Sequence, residues 1–92
     1  MLSLGGIMKL KGIWALIHAQ VRPYVDDVYV HDYNEVKYRF TDTHIIAYAD
    51  DGTMYGLDET DNIVILDEND KPYRNVDNYS VYVEDLFMDL LV

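Results

Sequence analysis

At 92 residues, with no cysteine and a formal charge of −10 from seventeen acids against seven lysines and arginines, the chain suits one domain and leaves no room for a second. It offers neither disulfide staples nor thiolate chemistry, and its field repels nucleic acid and anionic membrane, so direct binding to either is not expected. Half the residues are apolar, which suffices for one modest core, because a chain of this size buries roughly 60–65% of the surface its unfolded form exposes.

The charge is unevenly placed. Residues 1–25 hold Lys9, Lys11 and Arg22 and no acid, whereas residues 41–70 hold nine acids and no lysine or arginine. At the start, Gly5-Gly6 ahead of Met8 resembles a translated ribosome-binding sequence. Residues 1–7 are therefore read as a flexible extension and 8–92 as a single acidic α+β domain. No run approaches the roughly 20 apolar residues needed to cross a bilayer, and Met1 to Ile7 has no basic leader. The expected location is the cytoplasm.

Lys9 to Val21 predicts the first element, a helix. Leu10, Ile13, Trp14, Ile17 and Val21 share one stripe at the helical period, while Lys11, Ala15, His18 and Arg22 lie off it. Pro23 ends it. From Val28 the period changes to two. Val28 and Val30, then Val36, Tyr38 and Phe40, then the more apolar His44 to Ala49, read as successive strands. Asp50-Asp51-Gly52-Thr53 is the clearest turn, because glycine takes the positive φ a tight hairpin demands. Met54 to Leu57 should pair back on His44 to Ala49. Asp58 to Asn62 and Asp67 to Pro72 are further turns around the strand Ile63 to Leu66. Turns at about nine-residue intervals predict an antiparallel meander. Helical spacing returns at Val81 to Leu91, where Val83, Leu86, Phe87, Leu90 and Leu91 form the stripe. Asn78 or Ser80 is the expected cap. The fold class is α+β, with an antiparallel sheet of four or five strands between an N-terminal and a C-terminal helix.

The chemistry-bearing residues mostly have a plain reading. His18, His31 and His44 recur every thirteen residues, but they fall on different elements, and no metal or other cofactor is expected from them. The acidic turns lack the glycine of a calcium loop, and Lys71 sits at a ligand position. No phosphate loop, nucleophile elbow or Cys–His pair is present, so no enzyme is predicted. The run Ala47 to Leu57 looks like a single hairpin of a quinoprotein-type β-propeller, but such a fold needs at least four blades and far more chain than this.

Two features remain: the carboxylates themselves and nine tyrosines. Tyrosine suits strands, and it also supplies large contact area at low entropy cost. In size, acidity and lack of catalytic motifs the chain is similar to phage anti-CRISPR and anti-restriction proteins and to immunity proteins against nuclease toxins. That likeness implies an inhibitor whose carboxylates imitate nucleic-acid phosphates and occupy the basic groove of a nucleic-acid-handling protein. The expected binding residues are Asp50, Asp51, Asp58, Glu59, Asp61, Asp67, Glu68 and Asp70, with Tyr48 and Tyr55 as anchors. The rival expectation is an assembly subunit that packs its apolar C-terminal tail, Leu86 to Val92, on a larger partner or on itself. A monomer or a homodimer fits these expectations.

Overall fold

The computed structural model describes residues 12–26, 28–31, 35–78 and 80–91. Expectations for the N-terminal extension, for Leu10 and Lys11, and for Val92 lie outside them. The chain forms helix α1 (Ile13–Gln20), strands β1 (Val28–Val30), β2 (Lys37–Phe40), β3 (His44–Tyr48), β4 (Met54–Asp58), β5 (Ile63–Leu66) and β6 (Pro72–Asn75), and helix α2 (Val81–Met88). Short 3-10 turns at Arg22–Tyr24 and Asp89–Leu91 follow the two helices. The six strands make one sheet in the order β1-β2-β3-β4-β5-β6, every pair antiparallel. This is the expected meander with one strand more than predicted. Strand β6 escapes sequence reading because all four of its residues are exposed. It carries no apolar alternation, and it opens on a proline that only an edge strand tolerates.

Register divides the sheet residues between two faces. Tyr38, Ala47, Tyr55 and Ile65 align in one row, and Phe40, Ile45, Leu57 and Ile63 in the next. Both helices cover this face. Ile13 and Ile17 of α1, Val83, Leu86 and Phe87 of α2, and Leu90 join the strand residues in one core. The helical stripe read from the sequence is thus the buried one, although Trp14, Val21 and Leu91 are only partly covered. The Tyr38 hydroxyl donates to the Leu86 carbonyl at 2.5 Å and ties the sheet to α2. Burial holds that phenol protonated well above its ordinary range, and the negative charge of Asp89 adds to the effect. Ser80 caps α2, its Oγ accepting the Val83 N–H at 3.4 Å.

Among the described residues no helix covers the opposite face. Ile46, Val64 and Leu66 are nonetheless buried there, with Tyr48 and Met54 packed around them. Gly56 makes this packing possible, because a Cβ at that position would meet Leu66 Cδ1 at 2.9 Å and His44 Cδ2 at 3.1 Å. The Arg39 guanidinium, from β2, closes the cluster by pairing with both Asp70 carboxylate oxygens at 2.9 and 2.5 Å. On a flat sheet the strands β2 and β5 would stand roughly 14 Å apart. The Arg39 side chain and the turn after β5 bridge that separation across this face.

Candidate functional site

Three hairpin loops are built on one plan. In each, the first residue donates its N–H to the carbonyl of the fifth, and the fourth donates to the carbonyl of the first. The pairs are Ala49/Thr53 and Gly52/Ala49, then Asp58/Asn62 and Asp61/Asp58, then Asp67/Lys71 and Asp70/Asp67. The fourth residue has positive φ each time: Gly52 at 92°, Asp61 at 66° and Asp70 at 65°. This is a type I turn followed by a left-handed residue, the usual three-residue hairpin loop, and aspartate is among the few side chains that tolerate that conformation. The nine-residue rhythm seen in the sequence is this unit repeating.

Position within the unit decides what each acid does. At the first position, Asp58 Oδ1 accepts the N–H groups of Thr60 and Asn62 and the Thr60 hydroxyl, and Asp67 Oδ1 accepts those of Asn69 and Lys71. Partial burial tends to raise the Asp58 pKa, but the hydrogen bonds from Thr60 and Asn62 outweigh it and leave the group below the ordinary carboxylate value. At the fourth position the carboxylates reach farther. Asp61 accepts the N–H groups of Gly12 at 2.7 Å and Trp14 at 3.1 Å, capping the start of α1. Asp70 holds Arg39, whose hydrogen bond keeps the acid below its usual range. At the second and third positions Asp50, Asp51, Glu59 and Glu68 are exposed. Asp51 accepts the Thr53 N–H at 2.9 Å, a bond that lowers its pKa.

The meander then sorts the loops by end. Alternate connections lie at the same end of a sheet, so the β1–β2, β3–β4 and β5–β6 loops share one end and the β2–β3 and β4–β5 loops the other. Asp50, Asp51, Asp67, Glu68 and Asp70 come together at the first end, joined by exposed Glu35. Asp58, Glu59 and Asp61 lie at the second, about 16 Å away along a five-residue strand. The eight acids expected to act together are therefore two groups, and Asp58, Asp61, Asp67 and Asp70 each serve the fold. Tyr48 and Tyr55 are also separated. Tyr48 lies on the open face, its hydroxyl accepting Arg39 Nε at 3.0 Å and its ring 4.7 Å from the Lys37 ammonium. Tyr55 packs against the core on the helix side.

Sequence reading missed a groove at the first end. Val36, Asp50, Tyr82, Asp85, Leu86 and Asp89 line a cavity of about 360 Å³ between the β3–β4 loop and α2. The Asp50 N–H donates to the Tyr82 hydroxyl at 3.2 Å and fixes the loop to the helix. Asp85 lies on α2 and Asp89 just after it, both outside the apolar stripe Val83, Leu86, Phe87 and Leu90. Their spacing of four residues was the available signal, since it puts both on one side of a helix. The apolar tail offered as a docking segment is mostly spent inside the fold, with Leu86, Phe87 and Leu90 in the core. Among the described residues no group of three or more His, Cys, Asp or Glu is arranged to hold a metal ion, and no helix is long and apolar enough to cross a membrane. Comparison with known protein families, curated proteins and solved structures finds no match.

Proposed function

We propose that this is a small acidic binding protein that inhibits a nucleic-acid-handling protein, using the end of the sheet around Asp50, Asp51 and Glu68 in place of nucleic-acid phosphate. One observation carries the reading: two loops of the meander, β3–β4 and β5–β6, present these exposed carboxylates at a common end, on backbones held by their own hydrogen bonds. A fixed array of charge loses little conformational entropy on docking. Its field accelerates encounter with a basic groove, and arginine–carboxylate contacts formed there are short and directional. Asp67 adds charge to the same end while holding its loop, whereas the charge of Asp70 is met by Arg39. Asp58, Glu59 and Asp61 face away and act on the approach of the partner only through the long-range field.

The test is competitive. Proteins captured by the immobilised chain are eluted with a salt gradient, identified, and assayed for binding of labelled duplex DNA or RNA with and without the free chain. The expected result is a basic nucleic-acid-binding protein that is released by salt and whose nucleic acid the chain displaces. Displacement should disappear in the variant Asp50→Lys/Asp51→Lys/Glu68→Lys and persist in Asp42→Lys, at the opposite end. Capture that resists salt, or displacement that survives the triple change, refutes the proposal.

A further inference from the structure

The groove between the β3–β4 loop and α2 differs from the solvated loops beside it, because it combines an apolar base with charged walls. Leu86 is 3% exposed and Val36 is half-buried, so they form its base. Exposed Asp50 stands on the loop side, and Asp85, with Asp89 one helical turn on, stands on the α2 side. The Tyr82 ring lies between them, and its hydroxyl, by accepting the Asp50 N–H, holds the two walls together. We infer that this groove is the seat of one arginine side chain supplied by the protein partner. The inference rests on the binding reading above and specifies what the partner inserts.

Three features select that occupant. The methylene stem of an arginine covers apolar surface while its charged head stays at the polar rim. Carboxylates on opposite walls suit a planar guanidinium, which offers donors along more than one edge, whereas an ammonium is a point charge that favours one wall. A tyrosine ring beside the path adds the face on which guanidinium groups stack. The charge complementarity is local as well as global, because Asp50, Asp85 and Asp89 all line the groove itself.

The experiment is a titration of the full isotope-labelled chain followed by amide NMR, with acetyl-Gly-Arg-Gly-amide as the probe. Two further arms use the same peptide with lysine or with uncharged citrulline. The arginine peptide should give saturable shifts confined to Val36, Asp50, Tyr82 and Asp85. The lysine peptide should bind at least fivefold more weakly and citrulline should not bind. Asp50→Asn/Asp85→Asn should weaken arginine binding at least tenfold with the spectrum otherwise preserved, and Asp42→Asn should leave it unchanged. Equal affinity for lysine, or shifts that spread over all the loops without saturating, overturns the inference. If the groove is silent while Asp51 and Glu68 respond, the arginine seat is wrong and the acidic-end reading stands. If the groove saturates but no nucleic acid is displaced in the competition assay, that reading falls instead.

Discussion

Substitution of Asp61 separates structural acids from merely exposed ones. Helix α1 begins at Gly12, which has no side chain to cap it. The Asp61 carboxylate supplies the missing acceptor from 49 residues away, at 2.7 Å from the Gly12 nitrogen. Loss of a cap costs about 1 kcal/mol, loss of a negative charge at a helix start about 0.5 kcal/mol, and a β-carbon without aspartate's tolerance of positive φ about another 0.5 kcal/mol. Asp61→Ala should therefore destabilise the fold by about 2 kcal/mol, or roughly 8–16 °C in a domain of this size. Asp61→Asn keeps the acceptor and the backbone preference and loses only the charge, so its cost is about 0.5 kcal/mol. Asp61→Gly should fall between them. Thermal melts followed by circular dichroism give the order, and the single Trp14, whose own N–H is one of the capped groups, reports the local change by fluorescence. An Asp61→Ala protein within about 0.5 kcal/mol of the parent, below the range for a lost cap, or with unchanged amide exchange in α1, would refute the capping role.

Gly56→Ala should cost about 1–3 kcal/mol by overpacking, and in a Leu66→Ala background the penalty should shrink to what the His44 contact imposes, which a double-mutant cycle in urea measures. Tyr38→Phe removes the donor to the buried Leu86 carbonyl and should cost about 1–2 kcal/mol; an unchanged urea midpoint would show that the bond contributes nothing. Asp70 is depressed in the folded state by Arg39, so its contribution is present above the unfolded carboxylate value near pH 4 and is lost as pH falls through the folded one. At 38% exposure solvent screens the pair, so Asp70→Asn should cost about 0.5–1 kcal/mol at pH 7. Melts at pH 7 and pH 2.5 should show the two proteins converging at the lower pH, and a constant difference would refute the linkage.

The meander was legible because its signals are local. Alternation in Val36 to Phe40, the Asp50-Asp51-Gly52 turn and the stripe Val83, Leu86, Phe87 and Leu90 each depend on a few neighbouring residues. Strand β6 was not legible, since Pro72, Tyr73, Arg74 and Asn75 form a strand only because β5 offers them a free edge. The site was legible by residue type and not by arrangement. Exposed Asp51 and capping Asp61 look alike in the sequence, and only the loop position and the arrival of α1 distinguish them. Arg39 gave no sign of its role, because its partner Asp70 lies 31 residues away in sequence and comes near only in the assembled sheet. The groove depends on α2 lying beside the β3–β4 loop, a contact between segments more than thirty residues apart.

The two helices lie at opposite ends of the chain yet shelter the same side of the sheet, and α1 packs against Asp89–Leu91. Each hairpin can form from adjacent segments at little loop-closure cost, whereas the meeting of α1 with Asp89–Leu91 joins segments about seventy residues apart in sequence. Contact order therefore makes the pairing of ribbons the low-cost part of folding and the closure of the helices the costly part. Loss of either helix uncovers the one interior that both of them shelter. Neither helix is dispensable to the other.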